Sequence, residues 1–414
     1  MIINNPKGTQ DFLPPLSTQK SYLENTFRKI AQLYGFEEIV TPTFEHTELF
    51  LRSTGLTTDI VTKQMYTFVD KGNRNLALRP EGTPGVVRAV LQYNLKLPIR
   101  LFYIGPMFRY ERPQKGRYRE FYQLGVEIIG EGQPEAELEL IDLAMRYFRE
   151  LKLPDVVTKI NSVGCKVCRP QFRNSLKSFL ADNLSKLCND CKVRAEQNPL
   201  RVFDCKEDSC QAIYQLAPKI TDHLCYECQN HFQRVLEGLS KRKLPFELDK
   251  SLVRGLDYYT RTTFEFVPIG ASELGSKDSI GGGGRYDNLI KDFGGPQAPA
   301  IGFALGLERI LLCLPKLERW RPLVFIISLD EKADTEAEEL VHKLRDAGIP
   351  ALKSPQVKTL RSGLGLADTL YCKFVIIIGE DELQKKAYTV KNLVDRSQVE
   401  VAQDKLTEYL KASL

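Results

Sequence analysis

The sequence of 414 residues predicts an α+β fold: an antiparallel sheet flanked by helices, with a helical cysteine-rich insertion and a C-terminal α/β domain. Three observations carry this. Strand patterns at 100–108 and 120–129 are joined by a polar loop, the connection expected between antiparallel neighbours. Eight of the ten cysteines fall between Cys165 and Cys228, in a stretch with helical periodicity and few strand signals. After 322, strand patterns at 323–329 and 374–379 alternate with helical patterns at 333–347 and 359–370, the mark of a separate α/β domain.

Taken in order, Leu23, Phe27, Ile30 and Tyr34 fall at helical spacing and Gly35 supplies a stop, which predicts a helix over 17–34. A second stripe, Leu140, Ala144, Tyr147 and Leu151, predicts a helix after the acidic 135–139 stretch. The insertion runs from Cys165 to about Lys243. Strand chemistry returns at 258–267 and 279–281, followed by an apolar helix over 302–314 and a linker over 315–322. The expected domains are 1–320, containing the insertion 165–245, and 321–414.

Hydrophobic residues are 43% and charged residues 27% of the chain, so a packed globular protein is expected. A net charge of +5 permits a polyanionic partner without requiring one. Met1-Ile2-Ile3-Asn4-Asn5-Pro6 has no basic stretch followed by an apolar run, so no signal peptide is expected, and no run approaches the ~18–20 apolar residues of a membrane span. A cytoplasmic location is therefore expected, where the cysteines serve as thiols or metal ligands rather than disulfides.

Side chains alternate along 120–129. Tyr122, Leu124, Val126 and Ile128 share a face suited to a core, whereas Phe121, Gln123, Gly125 and Glu127 share the other. Gln and Glu on one face, with Gly between them, suit a polar pocket floor; a solvated sheet face is the plainer alternative. The preceding loop holds Arg109, Arg112, Lys115, Arg117 and Arg119, and guanidinium groups grip phosphate oxygens in pairs. An exposed basic hairpin is the alternative there. Arg254, Asp257, Tyr258 and Tyr259 crowd a loop-to-strand junction. Gly281-Gly282-Gly283-Gly284 permits close backbone approach but lacks the Gly-Lys-Ser/Thr of a P-loop, and reads by itself as a flexible turn. Glu308 reads by itself as half of a buried ion pair.

Together these segments resemble the histidyl-tRNA synthetases, a family of class II aminoacyl-tRNA synthetases. Residues 34–45, ending in Thr41-Pro42-Thr43, look like motif 1, which builds the dimer interface in that family; 108–111 with the loop to Arg119 looks like motif 2, and 302–309 like motif 3. The strings Arg254-Gly255-Leu256-Asp257-Tyr258-Tyr259, Gly283-Gly284-Arg285-Tyr286-Asp287, Leu78-Arg79-Pro80-Glu81-Gly82-Thr83 and Arg112-Pro113-Gln114-Lys115-Gly116-Arg117-Tyr118-Arg119 are peculiar to the histidine enzymes. The resemblance implies a class II catalytic domain, an anticodon-binding C-terminal domain, and ligation of L-histidine to histidine tRNA through an adenylate. It implies that Glu81, Thr83 and Gln123 hold the α-amino group of histidine, with Gly82 also in the histidine site, that Glu127 and Tyr259 face the imidazole, and that Tyr258 and Tyr286 complete the wall. It further implies that Arg109, Arg117, Arg254 and Arg309 bind ATP, with Arg109 and Arg254 catalytic, and that Gln114 and Arg119 reach the tRNA acceptor end. Mg2+ on the phosphates and a homodimer follow from the same likeness.

The paired cysteines Cys165/Cys168, Cys188/Cys191, Cys205/Cys210 and Cys225/Cys228 have metal-ligand spacing, so one or two structural zinc ions are expected. Reduced thiols left from an ancestral site are the alternative. Two rival functions differ in kind: a synthetase-like regulatory subunit of histidine biosynthesis without tRNA charging, and a zinc-stabilised nucleic-acid-binding module. The first conflicts with the intact arginines, tyrosines and C-terminal domain; the second leaves the polar strand unexplained.

Overall fold

The computed structural model describes residues 3–55, 58, 60–153, 155–205, 207–270, 279–314, 321–355 and 359–413. The chain divides into two compact units, Met1–Pro315 and Lys316–Leu414.

The first unit is built on an eight-stranded sheet in the spatial order Glu37–Glu38, Ile99–Phe108, Glu120–Ile129, Ala300–Gly306, Gly281–Arg285, Thr260–Pro268, Val156–Ser162 and Phe246–Leu248. The six inner strands pair antiparallel and each edge strand joins in parallel. Alternation does what the sequence leads one to expect: Leu124, Val126 and Ile128 are fully buried under the helices Leu16–Leu33 and Glu135–Glu150. The aromatic edges of Phe27, Phe102 and Tyr147 interlock in that core. The opposite face of Glu120–Ile129 is left to the site.

Four expectations are corrected. The glycine run is no turn; Gly281–Arg285 is an inner strand. Backbones pass so close there that a Cβ on Gly283 would stand 2.0 Å from the Gly302 carbonyl oxygen, so glycine is a packing requirement of the sheet. The strand expected at 279–281 is this one, displaced. The helix expected from Gly302 begins only at Leu307, because 300–306 pairs between two strands before the chain turns into Leu307–Cys313. The acidic stretch lies inside its helix, which starts at Glu135, and Glu135 and Glu137 occupy the first turn where the helix dipole favours them. Residues 315–320 of the expected linker lie outside the described residues.

The insertion is a set of short helices, Arg169–Asp182, Asn189–Gln197, Asp208–Gln215 and Tyr226–Lys241, around a small core in which Cys191, Cys205 and Cys210 are buried beside Phe172 and Leu176. The C-terminal unit has a five-stranded sheet, Ala351–Lys353, Arg321–Ser328, Cys372–Ile378, Ala387–Asn392 and Gln398–Ala402, covered by apolar clusters on both faces. Its first three strands are parallel, which requires the helical crossovers Glu331–Asp346 and Leu360–Thr369. Asp330 and Thr359 cap those helices through their side chains.

Candidate active site

A cavity of about 480 Å³ opens on the polar face of the large sheet. One wall comes from Glu81 and Thr83, where the strand Asn75–Leu78 gives way to the helix Thr83–Gln92. The floor is Gln123 with Gly281 and Gly282 of the strand Gly281–Arg285; the far wall is the loop carrying Arg254, Tyr258 and Tyr259.

Glu127 lies one layer below this floor and is buried. Its Oε1 accepts from the Thr83 hydroxyl at 2.7 Å and its Oε2 from the Tyr286 hydroxyl at 2.6 Å. Gly302, the cross-strand partner of Glu127, makes this position tenable: a Cβ there would fall 1.7 Å from Glu127 Oε2. Burial pushes the Glu127 carboxyl up to about 8, against the pull of the Tyr286 and Thr83 hydrogen bonds. Tyr258 donates to Glu81 at 2.8 Å and packs against Tyr259 and Tyr286 at 4.8 and 5.7 Å between ring centroids.

Of the residues expected to hold histidine, Glu81, Thr83, Gln123, Tyr258, Tyr259 and Tyr286 line the cavity, while Glu127 and Gly82 stand behind the lining. Gly82 makes room: a Cβ would meet the Tyr103 ring at 2.3 Å. Tyr103 itself lines the cavity and went unread in the sequence. The legible signal was Gly125 directly across the strand pair, where a Cβ would stand 2.2 Å from the same ring. Among the described residues, Tyr103 Oη and Gln123 Oε1 are buried without a hydrogen-bond partner. Buried polar atoms normally find one, so two facing one cavity suit a ligand.

Cations ring the same space. Arg109 donates to the Pro80 carbonyl at 2.9 Å and lies 5.3 Å from the Phe121 ring centre. Arg254 is paired with Glu265; burial opposes its charge, yet Glu265 and Tyr259 hold its pKa above the usual arginine range. Gly282 supplies the clearance, since a Cβ would reach within 3.0 Å of Arg254 Nη1. Arg309 donates to the Ser279 carbonyl, and Arg117, 3.9 Å from Glu111, lines the mouth. Gln114 is exposed on the turn it forms with Arg117. Arg119 lies over the Tyr110 ring at 3.9 Å and donates to the Glu111 carbonyl at 3.3 Å. Glu308 accepts from the Tyr122 N–H at 3.0 Å, and burial pushes its carboxyl up to about 7. Its recorded partner is thus a backbone amide rather than the cation expected.

Under the floor, Arg285 is wholly buried: its Nε donates to Glu137 at 2.9 Å and its remaining nitrogens donate to the Glu131 and Gln133 carbonyls at 2.8 and 3.1 Å. His231 meets the same carboxylate at 2.5 Å. The eight insertion cysteines form two tetrads, Cys165/Cys168/Cys225/Cys228 and Cys188/Cys191/Cys205/Cys210, in each of which all sulfurs lie within 4.8 Å of one another. These donor sets fit a metal ion.

Residues 8–310 match the family described as histidyl-tRNA synthetase, and residues 323–413 match an anticodon binding domain. A histidine–tRNA ligase of Moorella thermoacetica is 46% identical over 99% of this chain and 98% of its own; one of Clostridioides difficile is 44% identical over the whole of both. The apo histidyl-tRNA synthetase of Staphylococcus aureus is structurally similar, with a TM-score of 0.78 and 36% identity across 99% of this chain and 100% of that one. An ATP phosphoribosyltransferase regulatory subunit/histidyl-tRNA synthetase from Bacillus halodurans, 22% identical with a TM-score of 0.66 over 92% of this chain and 99% of that one, shares the fold. No helix among the described residues is long and apolar enough to cross a membrane. With a full-length family match, an anticodon-binding unit and a polar, arginine-ringed cavity in one chain, this protein belongs to the histidyl-tRNA synthetase family and is a ligase that joins histidine to its tRNA.

Proposed function

We propose that the cavity binds histidine against Glu81, Thr83, Gln123 and Glu127, and ATP against Arg109, Arg117, Arg254 and Arg309. The observation that carries this reading is the Glu127 cluster. Among the described residues, the recorded hydrogen bonds to this buried carboxyl come from two hydroxyls and no cation is paired with it, so its oxygens keep lone pairs for an imidazole N–H. The Thr83 hydroxyl, having donated its proton to Glu127, still accepts from the α-ammonium group, with Glu81 and Gln123 as its companions. Tyr259 closes over the imidazole from the loop side.

Adenylation places the histidine carboxylate in line with the ATP α-phosphate. A carboxylate oxygen bonds to phosphorus as the bond to the pyrophosphate oxygen breaks, leaving histidyl-adenylate and pyrophosphate. Arg109 grips the α-phosphate from the start. Arg254, on the other side, meets the charge that builds on the pentacoordinate phosphorus, and fixed cations aimed at developing charge contribute most. The tRNA acceptor end then enters past Gln114 and Arg119 and takes the histidyl group, releasing AMP. Glu265 and Glu308 line the cavity and would offer carboxyl oxygens to Mg2+, which would supply charge neutralisation at the phosphates. The insertion's cysteines would hold zinc in a structural role.

Arg254→Ala tests the chemistry. Single-turnover adenylate formation should fall by about 100- to 1,000-fold, with much smaller changes in substrate binding. Near-normal adenylate formation would remove Arg254 from the mechanism.

The functional unit is a two-fold dimer in the cytoplasm, built on residues 34–45 and their surroundings. Val40, Phe44 and Val69 are 80%, 53% and 59% exposed in the single chain, apolar surface that a second copy would cover. Light scattering at micromolar concentration should give the dimer mass; a monomer that charges tRNA at full rate would refute this.

A further inference from the structure

The catalytic loop 254–259 is held from behind by two arginines of the cysteine-rich insertion. Arg201 donates to the Arg254 carbonyl at 2.7 Å and to the Asp257 carboxylate at 2.5 Å. Arg169 donates to the Tyr259 carbonyl, and to the Val163 carbonyl at 3.1 Å. The two ends of the loop are thus clamped across a cleft of about 520 Å³ between it and the insertion. Each arginine sits beside one cysteine tetrad in the chain. Arg169 directly follows Cys168, which caps the helix Arg169–Asp182. Arg201 lies in the 3-10 turn Pro199–Asp204, which ends at Cys205.

We propose that the insertion binds two zinc ions, one in Cys165/Cys168/Cys225/Cys228 and one in Cys188/Cys191/Cys205/Cys210, and that these ions fix Arg169 and Arg201 as positioning residues for the Arg254 loop. The catalytic part rests on the role given to Arg254 above. Tetrahedral zinc with Zn–S near ~2.3 Å sets sulfurs about 3.8 Å apart. The recorded separations are 3.6 Å for Cys165–Cys168, 3.9 Å for Cys165–Cys225 and 3.9 Å for Cys188–Cys205. A disulfide needs about 2.05 Å, and none of the ten cysteines is so joined. Backbone N–H groups point at the sulfurs, Cys225 N to Cys168 Sγ at 3.1 Å, Val167 N to Cys165 Sγ at 3.3 Å and Cys188 N to Cys210 Sγ at 3.3 Å, which favours thiolate ligands. Cys168, Cys188 and Cys225 also precede helices of 14, 9 and 16 residues, whose dipoles act in the same sense.

The tetrads are nested: the 188–210 set lies in the chain between the two halves of the 165–228 set, so each arginine adjoins a ligand of a different tetrad. Each ion displaces the thiol protons of its four ligands.

Metal analysis of the full-length protein, purified without chelator, should give two zinc ions per chain, and the same protein treated with a mercurial thiol reagent should release both. Cys188→Ser with Cys191→Ser, and separately Cys165→Ser with Cys168→Ser, should each retain one. Arg201→Ala should keep both ions and an unchanged melting temperature, yet lower kcat for histidine-dependent ATP–pyrophosphate exchange by about 10- to 100-fold. KM for ATP and histidine should stay within about 2-fold in that variant, and Arg201→Lys should recover part of the rate. Iron in place of zinc, a count other than two in the parent chain, or wild-type kcat in Arg201→Ala would overturn the proposal. The zinc count does not depend on Arg254, so it separates failure here from failure of the catalytic assignment.

Discussion

Glu127 and Glu137 are both buried in the same unit, and their surroundings drive them in opposite directions. Burial penalises the Glu137 charge, but His231 and Arg285 hold its pKa below the ordinary carboxylate value. Burial penalises Glu127 too, and with only hydroxyls for partners it is driven up to about 8. The contrast sets a carboxylate with charged partners beside the carboxyl to which the proposed function assigns histidine. Glu137 ties the helices Glu135–Glu150 and Tyr226–Lys241 to the strand Gly281–Arg285, and its interactions are complete in the free protein. Glu127 has hydroxyl partners and, among the described residues, no ion pair.

The structural side of this contrast breaks most severely. Arg285→Ala strands a buried carboxylate and should cost about 3–5 kcal/mol, read as a lower urea midpoint for the first unit. Arg285→Met combined with Glu137→Met should be much milder, because neither charge then remains. Equal losses from single and double variants would mean the pair is no more than packing.

A smaller effect separates the two carboxylates by pH. A carboxyl raised to about 8 keeps its proton in the folded chain between its unfolded value of 4.5 and 8, while the unfolded chain releases it. Stability should therefore fall as pH rises through that window, by at most ~1.4 kcal/mol per pH unit, and level off above it. Glu308, raised to about 7, adds to the same slope over a shorter range. Glu137 acts oppositely: its contribution is present above the unfolded value and is lost as pH falls through its lowered one. Comparing urea midpoints of the parent chain and Glu127→Gln from pH 5 to 8.5 isolates the Glu127 part. Parallel pH profiles would contradict its raised pKa.

How far all this could be read from the sequence follows the same division. Period-2 alternation in 120–129 assigned Leu124, Val126 and Ile128 to the core and Gln123 and Glu127 to the site face, because burial on one face of a strand leaves its trace residue by residue. Cysteine spacing marked the region where the thiols cluster for the same local reason. The partition into two tetrads was not legible, since Cys165/Cys168 finds Cys225/Cys228 across 60 residues of chain rather than its nearest pair. The glycine run was read as a turn because glycine's freedom is visible in a sequence, while the demand for a bare strand between two neighbours is set by tertiary packing. Arg169, Arg201, Arg285 and Tyr103 were likewise given no role: each is a common residue whose partner lies far along the chain. That the carboxylate on the site face would sit below the cavity rather than in its lining also depended on Thr83 and Tyr286, brought from two other elements.

The central claim is that Glu127 is held uncompensated so as to recognise the imidazole of histidine, and Glu127→Ala tests it most directly. The KM for histidine in ATP–pyrophosphate exchange should rise by about 10- to 100-fold, as expected when a buried hydrogen-bond partner is lost, while the KM for ATP stays nearly unchanged. An unchanged histidine KM, or equal losses for histidine and ATP, would contradict it.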